Sequence, residues 1–184
     1  MRIFISVELP DEVKKNITEL INELKLTEAG VRWVEAKNLH ITLKFLGWVD
    51  DKKLNDVIDL ATRAAGGAGS FKAKFEGIGT FPPGKAPRVI WAGIVEGGDK
   101  LERIADALEK HFSGAGYRSE ERGFSSHITI GRIKDNEGVD KLKDKMSGFE
   151  RSNFGEMKVD QIAIMRSTLT PHGPVYEIIR GVKL

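Results

Sequence analysis

Apolar and polar residues alternate from Arg2 to Glu8, so that Ile3, Ile5 and Val7 share one face, the signature of a half-buried β-strand. From Asp11 to Lys25 the period lengthens. Val13, Ile17, Leu20, Ile21 and Leu24 fall on one face of a helix. A second strand opens at His40-Ile41-Thr42-Leu43, and a helix is predicted over Asp51–Ala65 and a strand over Phe71–Phe81, closed by Pro82-Pro83-Gly84. The pattern then starts again. Arg88–Val95 alternates like Arg2–Glu8, and a helix follows over Asp99–Phe112, with Leu101, Ile104, Ala105, Leu108 and Phe112 on one face. Asp99 and Glu102 there resemble a capping box. His127-Ile128-Thr129-Ile130 opens a strand, Val139–Phe149 reads as a shorter, less regular helix, Glu156–Ser167 as a strand, and Pro171-His172-Gly173-Pro174 as a loop.

The spacing is regular. The two His-x-Thr strands lie 87 residues apart, and the opening strand recurs 86 residues on. Such self-similarity marks an internal duplication. It predicts an α+β chain, 1–184, forming a single bilobal domain with two largely antiparallel sheets, outer helices and a central cleft, its halves related by a pseudo-twofold axis. The repeat units are roughly 1–87 and 88–174. Val175–Lys183 is one strand more than two units require, and it is expected to complete a sheet of one lobe while the Arg88 strand ties the lobes together.

Composition narrows the chemistry. A formal net charge of +2 gives no bulk electrostatic argument for nucleic acid, so any phosphate must be held by local charges. The absence of cysteine excludes thiol nucleophiles, disulfides and thiolate zinc sites. No apolar run approaches the roughly 20 residues that span a bilayer, and the start is too short and too alternating for a signal peptide, so a soluble cytoplasmic protein without membrane association is expected. Charged residues make up 30% and Gln161 is the only glutamine, a balance that suits a thermophile.

On a strand, His40 and Thr42 share one face, as do His127 and Thr129, while Ile41, Leu43, Ile128 and Ile130 point to the other. Two such strands facing each other would bring two imidazoles and two hydroxyls together. One neutral and one protonated histidine can accept a proton from an attacking oxygen and give one to a leaving oxygen. Threonine hydroxyls can donate to non-bridging phosphate oxygens. A duplication has a structural reason to keep apolar positions but little to keep both polar ones, which favours a functional pair. Period 2 places Lys44 on the His40 face. Arg132 would face away from His127 on a straight strand, but Gly131 permits a bulge that re-aims it, and a guanidinium there would grip phosphate.

The paired motif resembles the tandem signature of the 2H phosphoesterase superfamily, and more closely the RNA 2′,3′-cyclic phosphodiesterases, also called 2′-5′ RNA ligases. The resemblance runs nearly end to end: Arg2-Ile3-Phe4-Ile5-Ser6-Val7-Glu8-Leu9-Pro10, Arg32-Trp33-Val34, His40-Ile41-Thr42-Leu43-Lys44-Phe45-Leu46-Gly47, and Phe124-Ser125-Ser126-His127-Ile128-Thr129-Ile130-Gly131-Arg132. Ser126 stands where the family often has proline. The resemblance implies opening of an RNA 2′,3′-cyclic phosphate to a 2′-phosphate without metal or cofactor, with reversible 2′-5′ joining by the same groups. It implies His40 as general acid, His127 as the group that activates water, and Thr42, Thr129 and Arg132 as phosphate ligands. The implied partner is an RNA 3′ end, tRNA fragments included, and a monomer is the simple default because duplication already supplies both halves of the site.

Other positions read more plainly. His111 ends a helix, where its cation would suit the dipole; His172 is a loop histidine; Phe45 points with Ile41 and Leu43 into the core. Trp33, Trp48, Phe81 and Tyr176 are either base-stacking platforms or packing. Arg166 and Ser167 are weak candidates for the cleft lining. Lys85 and Arg88 are either a phosphate rim or a solvated loop. Gly77-Ile78-Gly79 lacks the strand-to-helix setting of a phosphate turn. Competing readings are a metallohydrolase, disfavoured because there is neither a His-Glu-x-x-His run nor an obvious third ligand, a non-catalytic RNA 3′-end binder, and a phosphodiesterase of another small cyclic nucleotide.

Overall fold

The computed structural model describes residues 1–84, 86–121, 123–171 and 173–184; Lys85 and His172, singled out above, lie outside the described residues. The elements run β1 (Arg2–Glu8), α1 (Asp11–Lys25), β2 (Val31–Trp33), β3 (His40–Trp48), α2 (Leu54–Ala65), β4 (Phe71–Phe81), β5 (Val89–Glu96), α3 (Gly98–Gly114), β6 (His127–Ile133), α4 (Val139–Met146), β7 (Asn153–Val159), β8 (Gln161–Thr170) and β9 (Gly173–Lys183). The strands form two sheets, β3-β1-β8-β9 and β2-β6-β5-β4-β7, and every recorded pairing is antiparallel. The α+β, two-sheet architecture with outer helices is therefore as the hydrophobic pattern implies.

Several local expectations are corrected. The strand expected over Glu156–Ser167 is two strands, because the chain leaves one sheet at Val159 and enters the other at Gln161. Both halves alternate, so the break at Asp160 is invisible to periodicity. β2 pairs with β6 through only three residues, too few to show a period. The helix from Asp51 begins as a 3₁₀ turn over Asp51–Lys53, capped by the Asp50 carboxylate accepting from the Lys52 N–H at 2.9 Å. The helix from Val139 gives way to a 3₁₀ turn over Ser147–Phe149. There is no capping box at Asp99: α3 starts at Gly98, preceded by Gly97 at φ +81°, which only glycine adopts without strain.

One continuous core lies behind both sheets. Ile3, Ile5, Val7, Ile41, Ile162 and Ile164 enter it from the four-stranded sheet, and Ala73, Phe75, Ile90, Ala92, Ile128 and Ile130 from the five-stranded one. The predicted helical faces of α1 and α3 are the buried ones. The helices reach across the duplication: α1 lies against β7, while α3 lies against β3 and α2. This core holds the two histidine strands against each other, since β3 and β6 are in contact. Among the described residues no helix is long and apolar enough to cross a membrane.

Candidate active site

Each histidine is fixed by its own strand entry. The His40 Nδ1–H donates to the Asn38 carbonyl at 2.7 Å, and the His127 Nδ1–H to the Ser125 carbonyl at 2.7 Å. A carbonyl can only accept, so each neutral ring carries its proton on Nδ1 and keeps the Nε2 lone pair for chemistry. On the first lobe the Thr42 hydroxyl lies 2.9 Å from His40 Nε2. His40, Thr42, His127 and Thr129 are all half-buried, and their apolar neighbours Ile41 and Ile128 are fully buried.

Both strands carry a β-bulge after the motif. On β6, Trp91 pairs with Thr129 and Ile90 with Gly131, leaving Ile130 as the extra residue. On β3, Ser6 pairs with Thr42 and Ile5 with Lys44, leaving Leu43 extra. A bulge reverses the facing of everything downstream. Arg132 is thereby exposed, and its positive charge depresses the basicity of His127. In the first lobe the same reversal overturns two expectations. Lys44 does not lie beside His40. It is 2% exposed, with its ammonium bonded to Glu109 of α3 and to the Arg118 carbonyl at 3.4 Å. Phe45 is not core: it is 54% exposed and stands 5.9 Å from the Phe4 ring on the histidine side. The residue five positions after each histidine thus faces the cleft, an aromatic ring in one lobe and a guanidinium in the other.

Gly131 is required here. A Cβ at this position would come within 2.8 Å of Val31 Cγ1 and 3.0 Å of the Trp33 ring. Trp33 is therefore packing, partly buried against the core. Gly79 likewise leaves room for the Trp91 indole, which a Cβ would meet at 2.3 Å. Trp91 neighbours Phe81, and Phe81 turns edge-on to His127 at 5.2 Å. In the other lobe Phe4 and Tyr176 hold the His40 ring at 5.0 and 5.3 Å, Tyr176 edge-on. Phe81 and Tyr176 therefore wall the two imidazoles. Phe4, Ala163, Met165 and Tyr176 make a small second apolar cluster apart from the main core, beneath His40. Arg166 does not line the cleft: it is opposite Ile3, whose side chain enters the core, and is engaged by Glu177 at 2.6 Å. His111 is structural, its ring bonded to the Ala107 carbonyl at 2.8 Å.

Burial lowers the pKa of both imidazoles from the ordinary histidine value. Their surroundings then differ. The Asn38 carbonyl and the Glu8 carboxylate favour the cation at His40, against Lys14 and His127. At His127 the Ser125 carbonyl favours it and Arg132 opposes it. The strands that carry the two rings are in contact, and His127 opposes a cation at His40. Among the described residues no cluster of three His, Asp or Glu side chains suits a metal ion.

The profile of the LigT like phosphoesterases matches this chain twice in tandem, over residues 7–91 and 93–176, one His-x-Thr motif in each match. An RNA 2′,3′-cyclic phosphodiesterase of Methanocaldococcus jannaschii is 37% identical over 180 residues, covering 98% of this chain and 99% of the relative. One from Thermotoga maritima is 37% identical over 179 residues, covering 97% and 93%. The solved structure of TT0787 of Thermus thermophilus superposes with a TM-score of 0.81 at 30% identity, covering 100% of this chain and 98% of that one.

Proposed function

Because the chain belongs to the LigT-like phosphoesterase family, we propose that it opens the 2′,3′-cyclic phosphate at an RNA 3′ end to a 2′-phosphate, without a metal ion. The observation that carries this is the pair of imidazoles, each held at Nδ1 by a backbone carbonyl so that Nε2 is left for proton transfer, on two strands that contact each other. The names of the relatives support the substrate class.

In this reading His127 Nε2 takes a proton from water as its oxygen attacks phosphorus. The bond from phosphorus to O3′ breaks, and the departing oxygen takes its proton from His40. The order is the one the family resemblance implies; burial lowers the pKa of both rings, Glu8 favours a cation at His40 against Lys14 and His127, and Arg132 opposes one at His127. Thr42, Thr129 and Arg132 receive the non-bridging oxygens, where negative charge grows. Phe45, exposed beside Thr42, offers a face to the terminal base. With a 5′ hydroxyl in place of water, the same groups open the cyclic phosphate to a 2′-5′ bond: His127 takes the hydroxyl proton, the bond from phosphorus to O3′ breaks and His40 protonates O3′; attack of O3′ on that 2′-5′ bond runs the joining backwards and releases the 5′ hydroxyl.

The test is turnover of a short RNA ending in 2′,3′-cyclic phosphate in excess EDTA. Wild type is expected to yield a 2′-phosphate, and His40→Ala and His127→Ala each to lose about 10²- to 10⁴-fold in rate. Abolition of turnover by EDTA would establish a metallic site. Tight binding of the end without turnover by the wild type would establish a recognition module instead.

A further inference from the structure

The strand register places the cleft-side residues of the first lobe in rows across the sheet. Thr42 stands opposite Ser6, Phe45 opposite Phe4, and Trp48 opposite Arg2. Rows on one face are about 7 Å apart at roughly 3.3 Å per residue. The Arg2–Trp48 row is thus two rows, about 13 Å, from the Thr42 phosphate position, with Phe45 between. Trp48 is 81% exposed and takes no part in either apolar cluster. It ends an edge strand, so no neighbouring strand covers it. An indole this exposed adds little to stability and stands out on a soluble surface.

Arg2, beside it, has no carboxylate partner among the ion pairs of the described residues. Its charge reaches Tyr176, the residue edge-on to His40, and so does that of Arg132. Arg2, Ser167 and Tyr176 stand in one row across β1, β8 and β9. An aromatic face next to a cation outside those pairs, in line with the reacting end, is the pairing that single-stranded nucleic acid requires: stacking for a base and charge for the backbone.

We propose that Arg2 and Trp48 form a subsite for the nucleotide 5′ to the reacting end, Trp48 stacking its base and Arg2 taking the phosphate that joins it to the terminal nucleotide. The subsite rests on the cyclic phosphodiesterase reading and narrows it. The substrate is an oligonucleotide end, and a cyclic mononucleotide fills only half of the cleft.

The experiment compares kcat/KM for adenosine 2′,3′-cyclic monophosphate with that for the adenylyl dinucleotide bearing the same cyclic end, at several salt concentrations. Wild type is expected to prefer the dinucleotide. Trp48→Ala should reduce that preference by about 5- to 150-fold, the equilibrium equivalent of one base–aromatic stack, through KM, and Trp48→Phe should restore most of it. Arg2→Gln should flatten the logarithmic salt dependence on the dinucleotide by about 0.7, the share of one single-strand phosphate contact, and Arg2→Lys should keep it. Equal treatment of the two substrates by wild type, or variants that retain the full preference, would overturn the subsite while leaving the cyclic phosphodiesterase reading intact. Turnover of neither substrate would remove that reading, and the subsite with it.

Discussion

At the residue scale the proposed site is a pair of imidazoles whose tautomers are set by backbone. The carbonyl two residues upstream accepts a hydrogen bond from Nδ1–H in both lobes, which leaves Nε2 as the nitrogen for the proposed proton transfers. Burial holds both rings below the ordinary histidine value, and this fixes the sign of the pH response. Lowered pKa values favour the doubly neutral form at neutral pH, which in the proposed mechanism lacks its acid. The singly protonated form grows as pH falls, then gives way to the doubly protonated one. The profile of kcat/KM should therefore peak below about pH 6.5. An anionic phosphate between the rings favours the cation, so the limbs of kcat should lie at higher pH. A kcat/KM optimum at pH 8 would show that the imidazoles are not the titrating pair. The same burial makes stability highest above the unfolded histidine pKa and removes that contribution as pH falls through the folded values. For Arg132, alanine is expected to lower kcat/KM by about 10²-fold or more, and lysine to recover part of it, because the ammonium keeps charge but loses the two-pronged fork. Equal activity of wild type and Arg132→Ala would exclude phosphate binding by this side chain.

At the scale of elements, two matching bulges decide what the site contains. Counting by twos from His40 puts Lys44 in the cleft and Phe45 in the core. The bulge at Leu43 exchanges them. At Gly131 the presence of glycine betrayed the bulge; at Lys44 nothing did, because a lysine in the middle of a strand is ordinarily read as solvated. Here the side chain is 1% exposed and its ammonium pairs with Glu109, whose other oxygen accepts from the Glu120 N–H at 3.3 Å. The pair ties β3 to α3 and to the segment that leads to His127. Glu109→Gln would leave that ammonium with a weaker partner. The expected cost is up to about 3 kcal/mol, below the range for a fully buried pair because Glu109 is 31% exposed. Lys44→Met should cost less. Urea melts of both variants measure this, and a Glu109→Gln variant as stable as wild type would show that the pair holds nothing. Burial opposes ionisation of Glu109 but Lys44 outweighs it, so the pKa of this carboxyl is lowered. The stabilisation is present above the unfolded carboxyl pKa and is lost as pH falls through the folded one. Gly131→Ala should cost about 1–3 kcal/mol by pushing on Val31 and Trp33, and activity should fall with it as Arg132 shifts.

At the scale of the whole molecule, the duplication read from the chain is not two separate sheets laid side by side. β4, from the first half of the sequence, lies between β5 and β7, and β8, from the second half, lies between β1 and β9. The four-stranded sheet takes β8 and β9 from the second half, the five-stranded sheet takes β2 and β4 from the first, and one core runs beneath both. This is why the histidine strands are held together. Separating the halves would break the β1–β8 ladder in one sheet and pull β4 from between β5 and β7 in the other. A urea titration followed by far-UV circular dichroism and by tryptophan emission should therefore give one coincident transition. Two resolved transitions would mean that the halves fold independently.

The sequence by itself determined most of the elements and the two-sheet fold class, and it marked the repeat and the candidate quartet of His40, Thr42, His127 and Thr129. These rest on local periodicity, which is written in consecutive residues, and on a repeated polar pair that core packing gives no reason to keep. It determined less where a single residue changes the count. The bulge at Leu43, the break at Asp160 and the three-residue β2 leave almost no periodic trace. Tertiary structure alone decided that Phe45 faces the cleft while Lys44 is buried, that Phe81 and Tyr176 wall the imidazoles, that Arg2 and Trp48 share a row, and that each sheet is completed by strands from the other half. Those are facts about which strand lies beside which and in what register, and register is fixed by pairing between residues far apart in the chain, which no local pattern contains.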